Sequence, residues 1–206
     1  KLMLIDSAHI QENDVKHINK RRLRDDRPLV EPLYTSEDAE KVFERLVPVK
    51  YNEQLKVDDQ ISVIFSDCGH ILGSAAINIR IEEEGRTKTI CFSGDVGRYR
   101  DMILRAPDVF PQADYIIMES TYGNKLHEEH IPSVERFLDI LTDTCLKRKG
   151  KLIIPAFSIG RTQELLYLLN RLELEHRLPK LDYFVDSPLS IHATAIIKNH
   201  PECFNS

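Results

Sequence analysis

The chain has 206 residues, of which 42% are hydrophobic and 30% are charged, and its formal net charge at pH 7 is −5. This balance excludes a disordered or fibrous protein, and the negative charge excludes one that coats nucleic acid through bulk positive charge. A protein that attracts an anion through a bound metal ion and a local groove is not excluded. No apolar run approaches the roughly 20 residues that a membrane span needs.

The first part of the chain is predicted to contain two helices and then several strands. Residues 6–24 are predicted as a helix ending in the basic run 20–24, which suits the C-terminal end of a helix dipole. An RNA contact by this run is the alternative interpretation. Thr35 or Ser36 is predicted to cap a second helix that Pro48 ends. Strands are predicted at 60–65, 75–81, 87–92 and 115–118, of which 75–81 and 87–92 form a hairpin and 115–118 is buried.

From Ser133 onward the pattern indicates alternating helices and strands. Ser133 is predicted to cap a helix whose apolar stripe reaches Cys145. Predicted strands at 151–154 and 181–185 are each followed by a helix, at 160–175 and from about 190. This alternation is typical of a parallel α/β unit, so the predicted fold class is α/β, with α+β character in the first part.

The cysteines and the first residues bear on where the protein works. Cys68, Cys91, Cys145 and Cys203 form no C-x-x-C pair, so we expect no zinc knuckle or redox motif. Reduced thiols in or near the core are typical of a cytoplasmic protein. The chain shows neither a signal-peptide pattern nor a methionine at position 1, and we expect an internal segment truncated at both ends.

Three segments place a side chain suited to metal chemistry at a predicted strand end. His70 lies in a glycine-flanked turn and can offer a ring nitrogen to a metal, although a lone loop histidine is more often a surface residue. Asp95 follows the strand 87–92; it can bridge two zinc ions or simply form a turn beside glycine. Glu119 follows the strand 115–118 and belongs either to a site or to the cap of a helix.

Taken in order, these segments resemble the metallo-β-lactamase superfamily and, within it, the RNA-cleaving branch of the β-CASP family. Residues 69–75 resemble the family's third metal motif, residues 92–95 its fourth, and Glu119 the acid that opens the β-CASP region. The segments 6–12, 155–166 and 186–189 also look like parts of this family. The resemblance covers essentially the whole chain.

The resemblance implies part of an αββα metallo-β-lactamase sandwich over residues 1–120, followed by the start of a parallel α/β β-CASP domain over residues 121–206. It implies a hydrolase with two zinc ions that cuts RNA phosphodiester bonds as an endonuclease or a 5′-exonuclease. His70 would bind one zinc ion, Asp95 would bridge both, and Glu119 would orient a proton-donating histidine. RNA is the implied partner, a homodimer is compatible with the resemblance, and no membrane association is expected.

Ser158 and Arg161 are the predicted substrate-binding residues. They lie near the start of the helix 160–175, where free backbone amides and a guanidinium suit a phosphate. The alternative is that Arg161 packs across the two domains in an ion pair.

The family's H-x-H-x-D-H motif and two further histidines have no counterpart in this sequence. The resemblance would place them before Lys1 and after Ser206, and two ligands do not make a zinc site, so we expect this chain to be inactive alone. The alternative is a family member that has lost its site and serves as an RNA-binding or subunit-binding scaffold. A small-molecule hydrolase and a DNA-cleaving relative are the remaining alternatives.

Overall fold

The computed structural model describes residues 1–125 and 134–205. They divide into two compact units, Lys1–Val49 and Lys50–Ser206. The predicted domain boundary near residue 120 lies within the second unit and stays a prediction. No helix in the described ranges is long and apolar enough to cross a membrane.

The first unit consists of α1 (Leu2–Arg24), α2 (Ser36–Val42) and a 3₁₀ turn (Phe43–Arg45). Thr35 caps α2, as predicted: its hydroxyl accepts from the Asp38 N–H at 3.2 Å, and the Asp38 carboxylate accepts from the Thr35 N–H at 3.0 Å. The loop between the helices is fastened to α1 because the Asn19 amide exchanges two hydrogen bonds with the Val30 backbone.

The second unit is built on a five-stranded sheet in the order β1-β2-β3-β4-β5. Its first four strands are antiparallel neighbours, and β5 runs parallel to β4. The strands are β1 (Gln54–Lys56), β2 (Ile61–Asp67), β3 (Ala75–Glu83), β4 (Arg86–Phe92) and β5 (Tyr115–Ile117). The predicted hairpin is confirmed as β3 and β4, with Ile77 opposite Phe92 and Glu83 opposite Arg86.

The predicted burial of the strand near residue 115 is wrong. Tyr115, Ile116 and Ile117 are 57%, 65% and 54% exposed. The strand pairs with β4 alone and stands at the end of the sheet order, so its second edge has no strand neighbour in the described ranges. An apolar composition indicated burial, whereas the position of a strand in its sheet decides it.

The remaining helices of the second unit are α3 (Val134–Leu141), α4 (Arg161–Leu174) and α5 (Pro188–Lys198), with a π-helical turn (Thr142–Lys147) after α3. The predicted cap Ser133 lies outside the described residues. The helices and the five-stranded sheet confirm the α/β fold class. The predicted strands at 151–154 and 181–185 are not formed, because neither segment pairs with another strand within the described ranges; instead both line a cavity of about 790 Å³ beside α3 and α4.

The core of the sheet carries two of the cysteines. Cys68 and Cys91 are buried around Ala76, with Phe110 and Ala113 packed against them. Burial raises the pKa of the Cys68 thiol to about 11, so it stays protonated and donates to the Ser93 carbonyl at 3.0 Å. All four cysteines are free, as predicted.

Candidate metal centre

The three predicted strand-end residues meet at one edge of the sheet. Strands β2, β4 and β5 point in the same direction, and their carboxyl ends are Asp67, Phe92 and Ile117. His70, Asp95 and Glu119 each follow one of these ends within a few residues. The sheet topology therefore brings side chains from three separate parts of the sequence into one region. The order of these residues in the chain does not by itself reveal that they are neighbours.

His70 and Asp95 form the centre of this region. The His70 Nε2 atom lies 3.8 Å from the Asp95 Oδ2 atom, and both side chains are exposed, at 45% and 69%. Because they stand at the surface, the ring nitrogen and the carboxylate are open to a further group. The structure thus brings together the two residues predicted to bind metal.

The turn that carries His70 lies tightly against the loop that carries Asp95. The Gly97 N–H donates to the Cys68 carbonyl at 2.8 Å. A methyl group placed on Gly97 would lie 1.9 Å from the Gly69 oxygen and 2.6 Å from the His70 nitrogen. Only glycine fits this contact, which fixes the backbone of one candidate ligand against the backbone of the other.

The far end of the His70 turn is held by Ser74 and Tyr51. The Ser74 hydroxyl accepts from the backbone N–H groups of His70 and Ile71 at 3.2 and 3.3 Å. The Tyr51 hydroxyl donates to the Ser74 carbonyl at 2.9 Å, and burial, followed by the negative charge of Asp67, raises the pKa of Tyr51 to about 12. Tyr51 therefore remains a donor at physiological pH. No sequence motif pointed to it.

Glu119 supports the Asp95 loop from the neighbouring strand. Its Oε1 atom accepts from the Val96 N–H at 2.8 Å, and its own N–H donates to the Ser93 hydroxyl at 3.2 Å. The Val96 hydrogen bond, then the Thr121 side chain and the charge of His70, lower the pKa of Glu119. The chain turns after Glu119 and starts no helix between there and residue 125, so Glu119 does not cap a helix in that described stretch.

The chain is similar in sequence to several known proteins. The model of the Beta-Casp domain matches residues 162–206. Ribonuclease TTHA0252 of Thermus thermophilus is 36% identical over 160 residues, covering 78% of this chain and 35% of that protein. Transcription termination factor FttA of Methanosarcina mazei is 31% identical over 84% of this chain and 27% of its own length. Endoribonuclease YSH1 of Kluyveromyces lactis is 33% identical over 70% of this chain and 18% of its own length.

This chain belongs to the β-CASP family of metallo-β-lactamase-like proteins. It spans 18% to 35% of the length of these three relatives. Membership in this family implies metal dependence in general.

The fit to a metal ion rests on His70 and Asp95. Zinc bonds to histidine nitrogen and carboxylate oxygen are about 2.0–2.2 Å long and point to the corners of a tetrahedron, so two ligand atoms of one ion lie about 3.4 Å apart. The His70 and Asp95 atoms lie 3.8 Å apart, about 0.4 Å from that spacing, which a small rotation of either exposed side chain can close. The described residues contain no group of three or more potential ligands, so this chain fits a metal as a partial ligand set.

The two predicted substrate-binding residues of this β-CASP chain lie at the start of α4. Arg161 pairs with Glu164 at 2.5 Å, and the Ser158 hydroxyl lies 3.0 Å from the hydroxyl of Ser187, the cap of α5. Arg161 thus forms an ion pair, but its partner lies one turn along α4 and not in the other predicted domain, as the alternative interpretation had it. In the described part of the chain, the hydrogen bonds and ion pairs of Ser158 and Arg161 go to residues other than His70 and Asp95.

The start of α4 nevertheless lies against the His70 turn. A methyl group on Gly160 would stand 3.5 Å from the Ile71 side chain, and a small cavity of about 20 Å³ is lined by His70, Gly160 and Glu164, among others. Burial raises the pKa of Glu164, opposed by the charge of Arg161. Sequence reasoning missed Glu164, although its i,i+3 spacing from Arg161 was a readable signal.

Proposed function

We propose that the complete protein containing this chain is a zinc-dependent ribonuclease that hydrolyses RNA phosphodiester bonds. The observation that carries the proposal is the approach of His70 and Asp95 to 3.8 Å at a sheet edge, in a chain similar to proteins named ribonuclease and endoribonuclease. The remaining zinc ligands would come from residues outside these 206. Two bound zinc ions would lower the pKa of bound water and neutralise charge that develops on the phosphate.

In this proposal, each of the chain's residues has a distinct task. His70 would help to hold one ion, and Asp95 would be shared between the two. Glu119 would hold a histidine in one tautomer by accepting its N–H, and that histidine would protonate the leaving oxygen. The lowered pKa of Glu119 supports this task, because it keeps the carboxylate ionised, and an ionised carboxylate can only accept hydrogen bonds.

Recognition of RNA would occur at the start of α4. The net charge of −5 provides no general attraction for a polyanion, so binding would depend on local donors and on the metal ions. Arg161 is 47% exposed and can exchange its Glu164 partner for a phosphate, with the Ser158 hydroxyl as a further donor.

The test is cleavage of labelled RNA by the complete protein after zinc removal and after zinc replacement. We expect cleavage to disappear with chelation and to return with zinc, while DNA of the same sequence stays intact. Cutting of circular RNA would show an endonuclease, and cutting only of linear RNA with release of 5′ nucleotides would show a 5′-exonuclease.

Zinc-loaded protein that binds RNA and never cuts it would refute the proposal and favour the scaffold function. A control in which RNA is incubated with the Asp95→Ala protein separates true activity from a contaminating nuclease, because a contaminant survives that substitution.

A further inference from the structure

Asp67 is a buried carboxylate three residues before His70, and none of the functions discussed so far involves it. The residue is only 6% exposed. Its Oδ1 atom accepts from the Gly69 N–H at 2.8 Å, and its Oδ2 atom pairs with the Arg105 guanidinium at 3.3 Å. A carboxylate is costly to bury, and these two contacts satisfy one oxygen each.

The backbone of Asp67 is also held by hydrogen bonds on both its N–H and its carbonyl. Its N–H donates to the Asp108 carboxylate at 3.1 Å, and its carbonyl accepts from the Asp108 N–H at 2.9 Å. The Asn52 amide donates to the same Asp108 oxygen at 2.9 Å, which holds that carboxylate in place. The last residue of β2 is therefore fixed before the chain enters the His70 turn.

The turn itself fits between two loops. Gly69 has a φ of +60°, and a methyl group there would lie 2.7 Å from the Arg105 oxygen and 2.9 Å from the Pro107 nitrogen. On its other side the turn meets Gly97, in the loop of Asp95. The Asp67 carboxylate holds the Gly69 N–H and the Arg105 side chain together, so it fixes the turn against the first of these loops.

We infer that Asp67 is a positioning residue, which sets the place of His70 relative to Asp95 and thereby the affinity for zinc. This inference rests on the proposed function. The Asp67 carboxylate binds the Gly69 N–H and Arg105, so it acts on His70 through the Gly69 backbone, one residue before the ligand. Groups that hydrogen-bond directly to a metal ligand typically contribute about 10–100-fold to metal affinity or activity, and we take this range as the scale for Asp67, which acts one residue away.

The experiment measures zinc affinity of the complete protein by competition with a chromophoric chelator, alongside thermal unfolding of the zinc-free protein. We expect Asp67→Ala to weaken zinc binding by about 10–100-fold. Asp67→Asn should fall between this variant and wild type, because the amide oxygen still accepts from Gly69 but carries no charge for Arg105. Saturating zinc should restore RNA cleavage to Asp67→Ala and not to Asp95→Ala.

Asp114→Asn is the control, because the Asp114 carboxylate also fastens a loop, through the Thr89 N–H and hydroxyl at 2.8 Å each, away from His70. Its zinc affinity should equal that of wild type. Folded Asp67→Ala with unchanged zinc affinity would overturn the inference and leave Asp67 as a loop anchor. If Asp67→Ala does not fold, the zinc affinity of Asp67→Asn decides instead: a weakened affinity supports the inference, and an affinity equal to wild type overturns it. Wild-type protein that binds no zinc would instead overturn the proposed function itself.

Discussion

Replacement of Gly97 by alanine should separate the two candidate ligands with a single added methyl group. That carbon would lie 1.9 Å from the Gly69 oxygen, and Cβ atoms do not approach heavy atoms closer than 3.0 Å. The His70 turn and the Asp95 loop must therefore move apart by about 1.1 Å. The hydrogen bond of 2.8 Å from Gly97 to Cys68 cannot survive this movement unchanged.

The expected cost has two parts. Overpacking typically destabilises a protein by about 1–3 kcal/mol, and the lost hydrogen bond adds about 1 kcal/mol. A displacement of about 1 Å at a catalytic site can reduce the rate by about 100-fold. We therefore expect Gly97→Ala to unfold at a lower urea concentration and to cleave RNA about 100-fold more slowly in the complete protein.

The assay compares Gly97→Ala with two other glycine substitutions. Gly150→Ala meets only a 3.2 Å contact with Thr144 and lies outside the site, so its cleavage rate should be that of wild type. Gly73→Ala has open space but a φ of +85°, so it should report backbone strain alone, about 1–2 kcal/mol. Stability and cleavage equal to wild type in Gly97→Ala would refute the close contact of the two loops.

Three further variants test other parts of the site. Glu119→Gln keeps an oxygen for the Val96 N–H, so zinc content should stay near normal while cleavage slows by about 10²–10⁴-fold; unchanged turnover would reassign Glu119 to structure. Arg161→Gln should weaken RNA binding without changing zinc content, and the slope of log K against log salt concentration should fall by about one unit. An unchanged slope would exclude a contact between Arg161 and a phosphate. The Thr89 side chain and N–H lower the pKa of Asp114 below 3.8. In urea titrations, the free energy of unfolding lost in Asp114→Asn should therefore be constant at neutral pH and should shrink as the pH falls below 3.8. A loss of stability that grows toward acid would contradict the lowered pKa.

The elements that sequence reasoning predicted well are those with strong local signals. In the β3–β4 hairpin, Ile77, Ile79 and Ile81 of β3 alternate with polar residues, and the turn is marked by Glu84 and Gly85, which adopt φ values of 50° and 73°. The helix α2 begins at a Thr35–Asp38 capping box that is visible in the sequence. In each case the interacting residues lie close together in the chain.

The failures concern pairing between distant segments. Residues 151–154 and 181–185 have apolar, strand-like composition, but a strand also needs a hydrogen-bonded neighbour, which no local pattern reveals. The exposure of Ile116 depends in the same way on the place of β5 in the sheet order.

In the candidate site, too, residues with a local sequence signal were predicted, and residues that meet only in the folded chain were missed. His70, Asp95 and Glu119 were found through glycine-flanked turns at strand ends and through a family resemblance. Asp67 and Arg105 were missed, because they meet across 38 residues of sequence. The one local signal was Asp67-Cys68-Gly69, since an aspartate two residues before glycine often accepts that glycine's N–H.

The most direct test of the central claim is the zinc content of the purified complete protein, measured by mass spectrometry together with RNA cleavage, in wild type and in His70→Ala and Asp95→Ala. If these residues hold the catalytic metal, wild type should contain two zinc ions per molecule, both variants should contain fewer, and neither should cleave RNA. Full zinc content with wild-type cleavage in either variant would show that the close pair of His70 and Asp95 is not the metal centre.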